Sequence, residues 1–185
     1  MRSIVVFNMV SLDGYIADVN GDMSWAHKQD EEWNTFVAGN AKGDCVLVFG
    51  RITYEMMARW WPTPQAMMSM PAVAERMNSL PKVVFSRTLD QASWNNTRLV
   101  KRDVVAEIRE MKQESGPDMV MFGSGTVVSQ LTQAGLIDEY QIVVNPIILG
   151  AGKSMFAGIT EKLTLKRTNT RVFGNGNVFL CYQKV

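Results

Sequence analysis

Three short turns in the sequence carry the groups that bind phosphate. Each follows an apolar run, and they read GRIT at positions 50–53, FSRT at 85–88 and FGSGT at 122–126. Such turns supply free backbone N–H groups, the positive end of a helix dipole or a guanidinium, all of which hold phosphate oxygens. One turn alone is most often an ordinary strand-to-helix connection. Three turns, two of them with an arginine close to a hydroxyl residue, predict a ligand with several phosphates, such as a dinucleotide that bears a 2′-phosphate.

The composition argues against several other kinds of chemistry. His27 is the only histidine, and Cys45 and Cys181 lie far apart without a CxxC pair, so neither a zinc site nor a Ser-His-Asp relay is indicated. Nineteen basic and eighteen acidic residues leave a formal net charge of +1, which gives no support for a nucleic-acid or membrane partner. Two cysteines without a secretory signal predict reduced thiols and a cytoplasmic location.

Strand and helix patterns alternate along the chain and place these turns at the ends of strands. Apolar or β-branched runs predict strands at 4–9, 45–49, 82–85, 119–122, 141–144, 163–173 and 178–183. Helices are predicted at 30–37, 53–60, 103–115 and 126–134, and at 65–80 with a break or kink at Pro71. We therefore expect a single α/β domain over residues 1–185, with a mixed sheet, helices on both faces and a C-terminal antiparallel hairpin. In such a sheet, ligands bind outside the carboxyl ends of the strands.

The order of these motifs resembles that of the dihydrofolate-reductase-like superfamily. The matching segments are SLDGYIA at 11–17, GRITYE at 50–55, FSRTL at 85–89 and GSG at 123–125. Within the superfamily, LIDEY at 136–140 and PIILGAGK at 146–153 are similar to the C-terminal reductase domain of the riboflavin-biosynthesis deaminase-reductase. The resemblance covers nearly the whole chain, from residue 4 to residue 182. Because the HxE and CxxC zinc ligands of the deaminase are not in this sequence, the resemblance is to a stand-alone reductase domain.

The resemblance implies a three-layer fold with a mixed, mostly parallel sheet of roughly eight strands, and NADPH as the hydride donor. It also implies that three groups of residues, together with the loop after the first strand, bind the cofactor. These are Gly50, Arg51 and Thr53 at the pyrophosphate and 2′-phosphate, Ser86 and Arg87 at the 2′-phosphate, Gly123, Ser124, Gly125 and Thr126 at the pyrophosphate, and Ala17 near the nicotinamide.

The resemblance identifies the substrate-binding residues less clearly than the cofactor-binding residues. In dihydrofolate reductases a tryptophan precedes, by five residues, a helix carboxylate that promotes protonation of the substrate, and Trp25 and Asp30 match that spacing. The resemblance makes Trp25 a candidate substrate-binding residue and Asp30 a candidate catalytic residue, although a solvated first helical turn has the same acidic pattern. Asp13 would touch the substrate or form an ordinary turn. Lys153 would meet the polar end of the substrate or simply turn the chain.

The leading hypothesis is an NADPH-dependent reductase that acts on a pterin- or pyrimidine-like molecule. The named reaction of the similar domain is reduction of 5-amino-6-(5-phosphoribosylamino)uracil. One alternative is dihydrofolate reduction, which Trp25 and Asp30 favour. The other is an NADPH-binding sensor or drug-modifying relative that has lost the original activity. The resemblance also makes a homodimer the expected assembly.

Overall fold

A mostly parallel sheet runs through the centre of the protein. The structure is a computed structural model, and it describes residues 1–26, 30–40 and 43–185. The strands are β1 (Ile4–Ser11), β2 (Tyr15–Ala17), β3 (Val46–Gly50), β4 (Lys82–Phe85), β5 (Thr97–Val100), β6 (Met119–Phe122), β7 (Glu139–Asn145), β8 (Lys153–Ser154), β9 (Leu165–Val172) and β10 (Val178–Lys184). Eight of them form the central sheet in the order β5-β4-β3-β6-β1-β7-β10-β9, and β2 pairs with β8 separately.

Helices connect the strands and cover both faces of the sheet. Within the described residues they are α1 (Glu31–Asn40), α2 (Arg51–Trp60), α3 (Pro64–Ser69), α4 (Pro71–Ser79), α5 (Val104–Gln113) and α6 (Gly125–Gln133). The side chain of Asp103 caps α5 by accepting a hydrogen bond from the amide of Ala106. Pro71 begins α4 and separates it from α3, so the predicted break at this proline is confirmed.

The strand register brings the three phosphate-type turns to one edge of the sheet. Strands β3, β4, β5, β6, β1 and β7 all pair in parallel, so their carboxyl ends point the same way. In this sheet, β10 runs antiparallel to both of its neighbours, β7 and β9. Residues 50–53, 85–88 and 122–126 follow β3, β4 and β6, which lie side by side. No helix among the described residues has the length and apolar character needed to cross a bilayer.

The two faces of the sheet are covered to different degrees. On the face packed against α5 and α6, the β1 side chains Ile4 and Val6 and the β6 side chains Met119 and Met121 are fully buried in one apolar cluster. On the other face, one cluster joins α1 to the C-terminal hairpin, and a separate cluster joins α2 and α4 to β3 and β4. Between these two clusters, the β1 and β6 side chains are only partly buried. They are Val5, Phe7, Met9, Val120 and Phe122.

The predicted fold class is confirmed, and each predicted strand is present with small shifts in its bounds. Three strands were not predicted. Two of them, β2 and β8, have only three and two residues, too few to give a pattern. The third is β5, an edge strand in which Arg98 interrupts the apolar residues and pairs with Glu107 of α5. A charge at an edge position hides the alternation that marks a strand.

A buried lysine anchors the start of β4, the strand that leads to the turn at 85–88. Lys82 is 1% exposed, and its ammonium donates hydrogen bonds to the carbonyl oxygens of Leu80, Asn78 and Asn95 at 2.7, 3.1 and 3.1 Å. The ammonium also lies 4.5 Å from the centroid of the Trp94 ring. Burial lowers the pKa of Lys82 to about 8, because a charged group loses its hydration when it leaves water.

This pKa gives a specific dependence of stability on pH. Between pH 8 and 10 the unfolded chain holds a proton that folded Lys82 releases, so the free energy of unfolding should rise, by at most about 1.4 kcal/mol per pH unit. Chemical denaturation of the wild type, of Lys82→Met and of the exposed-site control Lys166→Met measures how much Lys82 contributes to the pH dependence of the free energy of unfolding. We expect the wild type and the control to gain stability relative to Lys82→Met as the pH increases. A constant difference between the curves would contradict the assignment.

Candidate functional site

A cleft of about 1500 Å³ opens at the carboxyl edge of the sheet and continues across one face. The residues predicted to bind a cofactor all line it, although they come from four separate parts of the chain. They are Ala17, Gly50, Arg51, Thr53, Ser86, Arg87, Gly123, Ser124, Gly125 and Thr126, and Lys153 lines the cleft with them. The fold therefore brings these side chains and turns together in one place.

Ser124 ties the amino ends of α2 and α6 to each other. Its backbone N–H donates to Thr53 Oγ1 at 2.9 Å, and its hydroxyl oxygen accepts from the N–H of Gly50 at 2.8 Å while donating to the carbonyl of Phe122. Neither helix has a side-chain cap. The N–H groups of Gly125 and Thr126 donate to no residue that the structure describes. Two helix ends with free donors thus lie next to each other, an arrangement that favours an anion with several oxygens.

Gly123 gives this junction its shape. It has a φ of +53°, and Ser124 follows with a φ of +57°. The buried Asn8 side chain holds the Gly123 peptide from the opposite side, donating to its carbonyl at 3.1 Å and accepting from its N–H. A Cβ at Gly123 would lie 2.6 Å from Thr53 Oγ1. Only glycine fits here, because a side chain would meet both the backbone strain and this contact.

Two cations at the rim of the cleft are free to meet an anion. Arg87 and Lys153 are exposed, and neither forms an ion pair with a residue in the described ranges. Arg51 forms a pair with Glu55 at 3.3 Å, one turn along α2, and its side chain is 44% exposed. An exposed pair of this spacing contributes only about 0.3–0.5 kcal/mol. A phosphate could therefore replace Glu55 as the partner of Arg51 at small cost.

The Ser86 hydroxyl shapes the turn that carries Arg87. Its oxygen accepts hydrogen bonds from the N–H groups of Thr88 at 3.2 Å and Leu89 at 2.9 Å. The N–H of Ser86 donates to the carbonyl of Val100 at the end of β5. These bonds fix the direction in which Arg87 leaves the sheet.

Ala17 reaches the cleft through the small sheet of β2 and β8. In that sheet Ala17 is the register partner of Lys153. A Cβ at Gly152 would lie 2.3 Å from the carbonyl oxygen of Ala17. The absence of a side chain at Gly152 thus lets the loop after β1 and the loop before β8 meet at the rim.

Three residues predicted for the substrate side, Asp13, Trp25 and Asp30, lie outside the lining of the cleft. The carboxylate of Asp13 accepts hydrogen bonds from the Ser11 hydroxyl at 2.6 Å and from the N–H groups of Leu149 and Gly150. The Ser11 hydroxyl, with help from these amides, lowers the pKa of Asp13. Asp13 thus holds two loops together. Trp25 lies in a 3₁₀ turn (Ser24–Ala26) and donates through its indole N–H to the carbonyl of Asp22, which precedes the turn.

Asp30 stands at the start of α1. Its Oδ1 atom accepts the N–H of Trp33 at 2.7 Å, as an N-terminal cap does. Its Oδ2 atom is buried and has no hydrogen-bond partner among the described residues. Asp30 therefore caps α1 with one carboxylate oxygen, while the other oxygen forms no hydrogen bond with a described residue. His27 lies outside the residues that the structure describes.

The part of the cleft that sequence reasoning missed is an apolar trough on the α1 and α2 face. Its floor consists of Val5, Phe7 and Met9 of β1 and Val120 and Phe122 of β6, and its walls include Trp33 of α1 and Trp61, which directly follows α2. Asn34 and Gln141 add two neutral carboxamides. The strand pattern alone could not locate it, because continuous apolar runs do not tell which face lacks a covering helix.

Comparisons of the sequence and of the structure with known proteins agree on one family. A family model, the RibD C-terminal domain, matches residues 2–179. The uncharacterized protein YyaP of Bacillus subtilis (strain 168) is 25% identical over 98% of this chain and 94% of its own length. A crystal structure of a Shewanella sp. PV-4 protein attributed to riboflavin biosynthesis has a TM-score of 0.79 and 25% identity, over 100% of this chain and 99% of that one.

Two more distant structures share the fold. One is the diaminohydroxyphosphoribosylaminopyrimidine deaminase/5-amino-6-(5-phosphoribosylamino)uracil reductase of Thermotoga maritima, with a TM-score of 0.71 and 16% identity, over 100% of this chain and 57% of that one. The other is dihydrofolate reductase of Enterococcus faecalis, complexed with NADP(H), with a TM-score of 0.64 and 16% identity, over 98% and 96% of the chains. The predicted resemblance to the C-terminal reductase domain is confirmed by the family model, and the shared fold confirms the predicted dihydrofolate-reductase-like architecture.

The geometry at Gly123 predicts a large effect of a single methyl group. Gly123→Ala should lower the free energy of unfolding by about 3 kcal/mol, since it adds an overpacked contact to left-handed backbone strain. Gly14→Ala is a matched control, because Gly14 has a φ of +87° with nothing within 4 Å of an added Cβ. It should lose only about 1 kcal/mol. Urea denaturation compares the two, and equal losses would show that Thr53 does not restrict this position.

Proposed function

This chain belongs to the RibD C-terminal domain family, and we propose that it is an NADPH-dependent reductase of the riboflavin-biosynthesis type, which transfers hydride to a pterin- or pyrimidine-like small molecule. The observation that carries the proposal is the junction of two uncapped helix ends, held by Ser124 and Thr53 at the carboxyl edge of the sheet. An apolar trough begins beside this junction. A reductase needs both parts, one for the cofactor phosphates and one for the group that is reduced.

The residues of the cleft fit NADPH. The free N–H groups of Gly125 and Thr126 suit its pyrophosphate. Arg87, which pairs with no acid in the part of the chain that the structure describes, supplies a guanidinium for the 2′-phosphate, and Arg51 is a second cation of the cleft lining. The absence of a side chain at Gly123 lets Thr53 pack against the backbone that leads to these N–H groups. When bound, the dihydronicotinamide of NADPH supplies the hydride.

The protein contributes position and exclusion of water. Asn8 and Thr53 fix the Gly123–Ser124 backbone, which orients the N–H groups that face the phosphates. Gly152 lets Ala17 reach the cleft beside Lys153. The apolar floor of the trough keeps water away from a ring that lies on it. These roles agree with the common division in which the cofactor supplies the chemistry and the protein supplies orientation.

Titration calorimetry with NADPH and NADH tests the proposal. Wild type should bind NADPH more tightly than NADH, and Arg87→Ala should reduce that preference at least about tenfold, the value of one charge-assisted hydrogen bond to phosphate. Arg59→Ala is the control, because Arg59 is an exposed arginine on α2 outside the cleft lining. It should keep the preference of the wild type.

Two results would count against the assignment. Failure of NADPH to bind at millimolar concentration would end the cofactor proposal. An unchanged ratio in Arg87→Ala would place the 2′-phosphate elsewhere. Binding of NADPH without turnover of any pterin or pyrimidine would instead favour the sensor or drug-modifying alternative.

Dihydrofolate reduction is the second candidate, and the free oxygen of Asp30 favours it. A buried carboxylate oxygen without a partner among the described residues can exchange a proton with a bound molecule or water. Oxidation of NADPH in the presence of dihydrofolate should then fall at least about tenfold in Asp30→Asn. Glu31→Gln, one residue along α1, should retain activity because Glu31 is exposed. Equal rates in both variants would remove Asp30 from the mechanism.

A further inference from the structure

The floor of the trough exposes apolar side chains at the centre of the sheet. The β1 and β6 residues on the opposite face, such as Ile4 and Met121, are fully buried. Phe7 and Phe122 on the trough face remain partly exposed, although they lie in the same two strands. Apolar surface in contact with water costs about 25 cal/mol per Å². An apolar ring on this floor would recover that free energy.

Two polar groups of the trough, Asn34 and Gln141, are neutral amides. Gln141 donates through Nε2 to Glu139 Oε1 at 2.6 Å, so its carbonyl oxygen is left as an acceptor. The Asn34 side chain forms no hydrogen bond with a described residue. Carboxamides of this kind match the N–H and C=O groups on the edge of an uncharged ring, and they provide no charge to balance a phosphate.

The end of the trough away from the helix junction is acidic. Asp44 and Asp118 line it at the amino ends of β3 and β6, and neither pairs with a cation in the described ranges. Glu139, at the amino end of β7, is held by amides of Gln141 and Gln183. Among the described residues, the cation Arg76 also lines this end of the cleft. Its guanidinium donates a hydrogen bond to the carbonyl of Gly43. The free cations Arg87 and Lys153 lie at the opposite edge of the sheet.

We propose that the trough selects an uncharged ring compound that carries no phosphate or carboxylate, and that Asn34 and Gln141 bind the hydrogen-bonding edge of the ring. The inference rests on the proposed function in taking this compound as the reductase substrate. The proposed substrate class differs from the phosphoribosyl compound for which the Thermotoga maritima reductase is named. The acidic end disfavours a phosphate that extends along the trough, and the cationic edge is the part of the cleft that suits the cofactor phosphates.

Matched ligand pairs test this selection. The first pair is 5-amino-6-(5-phosphoribosylamino)uracil and its dephosphorylated riboside, and the second is pterin-6-carboxylate and 6-methylpterin. Quenching of tryptophan fluorescence reports binding, because Trp33 and Trp61 line the trough. We expect the uncharged member of at least one pair to bind at least about tenfold more tightly than its charged counterpart. Equal or tighter binding of the charged members, or no binding by either uncharged ligand, would overturn the proposal.

Amino-acid substitutions test which residues cause the preference for the uncharged ligand. The double variant Asp44→Asn/Asp118→Asn should reduce the preference at least threefold, about 0.65 kcal/mol, and the exposed control Glu161→Gln should not change it. Gln141→Leu should weaken both members of a pair alike and leave NADPH affinity unchanged. A preference that survives in the double variant would overturn the electrostatic part of the inference. If the uncharged ring binds but NADPH does not, the reductase proposal fails while the selection by the trough stands.

Discussion

The bonds of Ser124 to Thr53 and Gly50 are the interaction on which the candidate site depends. Parallel pairing of β3 with β6 brings the starts of α2 and α6 close together, and these bonds fix their separation. Because neither helix has a side-chain cap, the free N–H groups of both ends act on the same volume. Asn8 completes the arrangement by holding Gly123 from the neighbouring strand.

Much of this edge could be predicted from local sequence. A buried strand followed at once by glycine and hydroxyl residues marks both the strand end and the helix start, so the sequence alone predicts the turns at positions 50–53 and 122–126. Parallel pairing then brought them together. The same logic failed for β5, since Arg98 gives this short edge strand a polar pattern.

Other parts of the site depend on contacts between distant segments. Asp13 has the residue type of a ligand-binding group, but its partners Leu149 and Gly150 lie far along the chain, and no spacing predicts them. The trough has the same origin. Val6 and Phe7 are neighbours of similar character, but α5 and α6 cover the face that holds Val6, whereas α1 and α2 leave the face that holds Phe7 partly exposed.

The close approach of Gly152 to the Ala17 carbonyl has an evolutionary consequence. The loop after β1 and the loop before β8 are in contact there, and the Asp13 carboxylate joins them again nearby. A substitution that reshapes one loop must be matched by a change in the other. Divergence of substrate range in relatives of this protein should therefore proceed by paired exchanges across these two loops, while the sheet beneath them is inherited unchanged.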